Sequence, residues 1–186
     1  MNWLYLALRK LILPPEEIDA SLPQNGKIVD LGCGQGIIAS YLARVKSRQV
    51  AGIDNDKLRL PKSTQKNLTF SEGNLNTIRL PSIKGAVISD VLHHLNRDDQ
   101  KNLIKKIYHA LENNGVLAIK EIDTEEFVRS RLSRFWDFLF YPKDKIYFNS
   151  ARSLKNNLSK TGFRQIIISR PCRFFPGSTT LLVCIK

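Results

Sequence analysis

The sequence predicts an α/β domain, a doubly wound and mostly parallel seven-stranded sheet with helices on both faces and an antiparallel hairpin at its C-terminal end. Three observations predict it. Short apolar runs that read as fully buried strands alternate with segments whose apolar residues recur at helical spacing, the rhythm of a parallel sheet covered by helices. One run passes directly into the glycine turn Val29-Asp30-Leu31-Gly32-Cys33-Gly34-Gln35-Gly36, after which Ile37, Ile38, Leu42 and Val45 keep a helical period. The last two runs are separated only by residues 170–178, too short for a parallel crossover, which needs about a dozen residues.

Residues 2–13 read as an amphipathic helix stopped by Pro14-Pro15, because the residue before a proline is pushed out of the helical region. Residues 16–20 add a short turn, and Pro23-Gln24-Asn25-Gly26 is a loop signal. The first strand is 27–31. A second, 49–54, ends on Asp54 and leads into a helix expected from about residue 55 to residue 66. Residues 67–70 are a short third strand and 71–75 a turn; 86–89 form a fourth, fully apolar strand that stops at Asp90. Asn96 and Asp99 make an N-cap pair for a helix over 97–112, with Leu103, Ile104, Ile107 and Leu111 on one face. Asn113-Asn114-Gly115 ends it, and 116–121 is the fifth strand. Residues 124–149 break the rhythm with a helix crowded by Phe127, Phe135, Trp136, Phe138, Leu139 and Phe140. Ser150 starts a helix to about residue 160, Gly162 stops it, and strands over 163–169 and 179–185 form the hairpin.

A chain of 186 residues suits one domain, and it contains no apolar run of the eighteen or so residues that cross a bilayer. At the N-terminus the apolar residues precede Arg9 and Lys10, the reverse of a secretory leader, so a cytoplasmic protein is expected. Cys33, Cys172 and Cys184 lie far apart with no metal-ligand spacing, and read as reduced thiols with neither disulfide nor metal. The net charge of +12 grows along the chain, from +2 over residues 1–60 to +4 over 61–120 and +6 over 121–186. Such an excess suits a polyanionic or membrane-surface partner, or a solvated face.

A glycine turn lets backbone approach a ligand without interference from Cβ, and the helix after it starts with unpaired N–H groups. That is a nucleotide-type site. A dinucleotide fingerprint needs G-x-G-x-x-G, whereas Gly32, Gly34 and Gly36 are spaced G-x-G-x-G and Ile37 stands at the last position. The turn, with an acid one strand later at Asp54, resembles the class I S-adenosylmethionine-dependent methyltransferases, whose sheet is Rossmann-like. Four further stretches fit that family in order: Gly52-Ile53-Asp54-Asn55, Glu72-Gly73-Asn74-Leu75, Ile88-Ser89-Asp90-Val91-Leu92-His93-His94-Leu95, and the run from Leu111 to Glu121.

The resemblance implies S-adenosyl-L-methionine as cofactor and S-adenosyl-L-homocysteine as product. It divides the single domain into an N-terminal helix or lid (1–26), a cofactor-binding core (27–123), an acceptor-side insertion (124–149) and a C-terminal helix and hairpin (150–186). Asp30 and the backbone of Gly32, Cys33 and Gly34 would receive the amino-acid end of the cofactor, carbonyls and acid facing the ammonium and N–H groups the carboxylate. Asp54 would accept both ribose hydroxyls. Asn55, Asn74 and Leu75 fall to adenine, and Ser89, Asp90 and Val91 to the sulfonium and the methyl in transit. Asn74 stands where the family commonly has aspartate, Lys84-Gly85 where an aspartate is frequent, and Asn113-Asn114-Gly115 where Pro-Gly-Gly is common.

Methyl transfer is an in-line displacement in which alignment and exclusion of water lower the barrier, and a base is needed only where the acceptor starts protonated. For a hydroxyl acceptor His93 is the candidate base, while one histidine of the His93-His94 pair holds the loop by a hydrogen bond; an amine or carbon acceptor needs none. Phe135, Trp136, Phe138, Phe140, Tyr141 and Tyr147 suit a small apolar or aromatic acceptor. Arg129, Arg131, Arg134, Lys143 and Lys145 around them allow peripheral contact with an anionic membrane, or RNA as the second choice of acceptor. A cofactor-binding module without catalysis is the third reading.

Overall fold

The computed structural model describes residues 15–123, 146–170 and 179–186. The helix expected over 2–13 and the aromatic helix expected after residue 123 lie outside them. Within them the elements follow the order α1 (Pro15–Ser21), β1 (Gly26–Leu31), α2 (Ile37–Leu42), β2 (Arg48–Asp54), β3 (Leu68–Glu72), β4 (Ile83–Ser89), α3 (Arg97–Ala110), β5 (Leu111–Ile122), α4 (Ala151–Thr161), β6 (Gln165–Ser169) and β7 (Thr179–Ile185).

The seven strands form one sheet in the order β3-β2-β1-β4-β5-β7-β6. The first five run parallel, and β7 enters antiparallel between β5 and β6, as the short link between the last two strands requires. Strand order reverses between β1 and β4, the place where open α/β sheets receive ligands at the carboxyl ends of their strands. Leu31 is level with Ile53 on one side and Ile88 on the other, so the glycine turn, Asp54 and Ser89 all stand on that edge.

Each face of the sheet has its own core. Val29, Leu31, Ile88, Leu117 and Ile119 bury one face against Leu103, Ile104 and Ile107 of α3 and Leu154 and Leu158 of α4. Ile28, Val50, Val87 and Ala118 bury the other against Ile18 of α1 and Ile38, Ala39 and Leu42 of α2. The alternation along each strand is the period-two geometry of the pleat applied to a strand that is apolar on both sides.

Local chemistry explains the element ends. Asn96 Oδ1 accepts from the Asp98 and Asp99 N–H groups at 3.0 Å and starts α3. Ser150 Oγ accepts from Ser153 N–H at 3.2 Å and starts α4, which Gly162 closes at φ 119°. Asn114 takes φ 60° in the turn before the buried part of β5, the left-handed conformation asparagine tolerates.

Two sequence expectations are corrected. No helix spans 55–66. Asp56 caps a single 3-10 turn, Lys57–Arg59, and Leu60 is already extended (φ −68°, ψ 127°) because Pro61 follows it. The helix expected to reach residue 112 stops at Ala110, and β5 begins at Leu111 instead of 116. Ile83 pairs with Leu111 and Gly85 with Val116, so the strand carries a bulge that keeps Leu111 buried while residues 112–114 stay exposed. Smaller shifts place β3 at 68–72, β4 from residue 83 and β6 from residue 165.

Candidate functional site

The glycine turn is built by three left-handed residues, Gly32 (φ 74°), Gly34 (φ 53°) and Gly36 (φ 69°). A Cβ on Gly32 would overlap Val91 Cγ2, so here glycine is needed both for its torsion and for the approach of the loop after β4. The turn is fastened to β2. Gly32 N–H and Cys33 N–H donate to Ile53 O at 2.7 and 3.1 Å, and Gly34 N–H donates to Asp54 Oδ2 at 2.7 Å. This corrects the expected loop chemistry: these three N–H groups already have partners on β2. A positive charge also stands beside the turn: the Arg59 guanidinium lies 3.2 Å from the point a Gly34 Cβ would occupy.

Asp30 is 2% exposed and its Oδ2 accepts from Ala39 N–H in α2 at 3.1 Å, so it ties the strand to the helix beyond the turn. Asp54 is 4% exposed and its Oδ1 accepts from Asp56 N–H at 3.0 Å. Burial raises the Cys33 thiol pKa strongly, and the negative charges of Asp30 and Asp54 add to the rise, so the thiol stays protonated and is no nucleophile.

Asp30, Gly32, Cys33 and Ser89 line one cavity with Gln35, Ile37 and Ile38, enclosing about 340 Å³ that is partly open to solvent. Ser89 Oγ is buried there without a hydrogen-bond partner among the described residues. Asp54, Asn55, Asn74 and Leu75 stand beside this cavity at the ends of β2 and β3 and do not line it. Asn55 and Asn74 are exposed; Asn74 Oδ1 accepts from Asn76 N–H at 2.8 Å, and Leu75 is buried in the core. Two buried carboxylates, a turn with glycine at every second position and a buried hydroxyl without a partner fit a ligand that carries an ammonium, vicinal hydroxyls and a sulfonium.

Past β4 the chain makes a second arrangement. Asp90 takes φ 56° and both of its oxygens accept from Lys120 Nζ, at 2.7 and 2.6 Å. Next along β5, Glu121 Oε1 accepts from Val91 N–H at 3.0 Å and Leu92 N–H at 2.7 Å, while Oε2 lies 2.7 Å from His93 Nδ1. His93 is 2% exposed, and its ring stacks on Phe148 at 5.4 Å. A carboxylate on Nδ1 favours a proton on that nitrogen. His93 therefore holds the loop through Glu121, the bond expected of one of the two histidines.

The sequence reading missed Lys120, Glu121 and Gln100. Gln100 Nε2 donates to Leu92 O at 2.8 Å, Leu95 O at 2.9 Å and Tyr147 O at 3.1 Å. Asn149 Nδ2 donates to Gln100 Oε1 at 2.7 Å. The signal for Lys120-Glu121 was legible as a charged pair closing an otherwise apolar strand; nothing local marks Gln100.

Comparison with known proteins gives one family match over most of the chain. The family described as "Methyltransferase domain" matches residues 5–167. A ribosomal protein L11 methyltransferase of Prochlorococcus marinus (strain AS9601) is 30% identical over 116 residues, which cover 58% of this chain and 38% of that protein. A trans-aconitate 2-methyltransferase of Variovorax paradoxus (strain S110) is 31% identical over 127 residues, covering 65% of this chain and 49% of that one. The chain thus spans between about a third and a half of the length of these two relatives. Human N-acetylserotonin methyltransferase, solved in complex with SAM, shares the fold with a TM-score of 0.74 at 17% identity, covering 94% of this chain and 52% of that one.

Proposed function

The chain belongs to the class I S-adenosylmethionine-dependent methyltransferases, and on that premise we propose that it transfers a methyl group to a hydroxyl of a small, largely apolar acceptor. The observation that carries the hydroxyl is the Glu121–His93 pair at the ends of β4 and β5. A phenolic or alcoholic oxygen must lose its proton as it attacks, and a base contributes typically about 10²–10⁴-fold. Support for a small acceptor is the similarity to a trans-aconitate methyltransferase.

The cofactor, when bound, supplies an electrophilic methyl group on a sulfonium. Asp30 receives the ammonium of its amino-acid end, and Arg59 its carboxylate. Asp54 holds the ribose: each oxygen accepts one backbone N–H and a carboxylate oxygen has capacity for a second donor. Asn74 and the end of β3 flank adenine. Ser89, Asp90 and Val91 form the floor under the reacting centre, which the Lys120 ion pair and the Glu121 bridge keep in one conformation. Glu121 keeps the Nδ1 proton of His93 in place so that Nε2 takes the acceptor proton, and the carboxylate stabilises the imidazolium that forms.

The net charge of +12 supports RNA as the second reading of the acceptor. A labelled-methyl assay with S-adenosylmethionine against lysate split into RNA, protein, lipid and small-molecule pools separates the two. Label in the small-molecule pool is expected; label confined to RNA or protein refutes the acceptor class, and no label in any pool refutes the activity. With the labelled acceptor in hand, His93→Gln lowers kcat about 10²–10⁴-fold and leaves S-adenosylhomocysteine binding intact. An unchanged kcat contradicts the base assignment.

A further inference from the structure

A second cavity, of about 250 Å³ and partly open, lies where β5 ends and α4 begins. Glu121, Asp123, Asn149 and Thr180 give its polar wall, and Leu154 and Leu182 an apolar one. Two buried oxygens at this cavity have no hydrogen-bond partner among the described residues, Asn149 Oδ1 and Thr180 Oγ1. Asn149 is 9% exposed and Thr180 2%, so solvent does not compensate them. Buried polar atoms are almost always paired, and two orphans on one cavity point to a missing partner.

The chemistry of that partner follows from the charges around it. Glu121 already accepts from two backbone N–H groups and faces His93. Asp123 Oδ1 accepts from Ala151 N–H at 3.2 Å, and its Oδ2 lies 3.6 Å from the Arg170 guanidinium. Both carboxylates are therefore compensated, and a cation gains little from them. Asn149 cannot turn its amide round, because Nδ2 is held by Gln100 Oε1, and that glutamine is itself fixed by the carbonyls its Nε2 reaches. What remains is an uncharged amide oxygen that accepts and a hydroxyl that accepts or donates, next to an apolar wall.

We propose that this cavity is a subsite for the methyl acceptor that takes an uncharged hydrogen-bond donor, a hydroxyl or N–H, at the end of an otherwise apolar molecule distal to the methylated atom. The inference rests on the methyltransferase reading and specifies its substrate. Glu121 connects the two places, since it fastens the loop after β4 and lines this cavity too. Thr180 pairs with Glu121 across β5 and β7. Two strand spacings separate β4 from β7, about 10 Å, so an acceptor of one or two rings reaches from the methyl to the subsite.

The test uses the full chain saturated with S-adenosylhomocysteine, titrated with 2-phenylethanol or with ethylbenzene and followed by ¹⁵N NMR. The alcohol is expected to shift the Asn149 side-chain amide and the Thr180 backbone amide saturably, and to bind at least about tenfold tighter than the hydrocarbon, the value of one buried hydrogen bond. Thr180→Val reduces that preference, since only Asn149 Oδ1 then remains to accept, and Thr180→Ser retains it. Equal binding of the two probes, no binding of either, shifts confined to other residues, or a preference undiminished in Thr180→Val each overturns the proposal. The wild-type pair of titrations decides the matter even if Thr180→Val does not fold. Failure to saturate with S-adenosylhomocysteine would instead strike at the methyltransferase reading itself.

Discussion

Cys184 on β7 is wholly buried, and burial pushes its thiol up from 9.0 to about 12. Unfolded, the same thiol ionises near 9.0. Between those values the native state binds more protons than the unfolded state, so this group's contribution to stability is complete below about pH 9 and falls as pH rises toward 12. Cys184→Ala should flatten that alkaline decline; urea midpoints between pH 8 and 11 measure it, and an unchanged slope contradicts the assignment. Asp54 makes a different kind of residue-scale prediction. Asp54→Ala removes a charged acceptor, and hydrogen bonds to charged groups contribute about 1.5–3 kcal/mol, so cofactor affinity should drop by roughly 10–150-fold by calorimetry. Asp54→Asn keeps one acceptor and should lose less; wild-type affinity in Asp54→Ala refutes its role at the ribose.

At the scale of elements, the glycine turn and the loop after β4 are in contact, since a Gly32 Cβ would overlap Val91, and Val91 N–H is bound by Glu121. Gly32→Ala therefore imposes left-handed strain and overpacking together, about 2 kcal/mol in urea unfolding, and it should also weaken cofactor binding. A neutral effect on both would mean the two loops are independent. Arg48, at the start of β2, is fully buried and fastens α1 to the sheet through Asp19 and the Pro23, Leu42 and Leu22 carbonyls. Arg48→Met should cost about 3 kcal/mol by leaving those acceptors without donors; a loss below about 1 kcal/mol would show that water replaces the guanidinium. Strands and caps were legible because their causes are local: Asn96, Ser150 and Gly162 act within a few residues of the ends they set. The false helix over 55–66 came from giving too little weight to Pro61, also a local signal. The Gln100–Asn149 bond and the Glu121 bridge join residues 49 and 28 positions apart, and no period or motif encodes such pairs.

The whole molecule divides its labour across the carboxyl edge of one sheet. The end near β1 and β2 carries Asp30, the glycine turn and Asp54, and this part was readable because these residues sit in or next to two short strand-end motifs that the family resemblance marks. Toward β5 and β7 the edge carries His93, Glu121, Asn149 and Thr180, from segments far apart in sequence; there His93 was singled out, Glu121 left a signal as part of a charged pair, and Asn149 and Thr180 left none. The basic excess is concentrated in the C-terminal third of the sequence. Among the described residues no helix is long and apolar enough to cross a membrane. If the glycine-turn cavity, with Asp54 beside it, holds S-adenosylmethionine, calorimetric titration of the full chain with S-adenosylhomocysteine gives one saturable site per chain, weakened by Asp54→Ala; no heat with the intact chain, or equal affinity in the variant, rules this cavity out as the cofactor site.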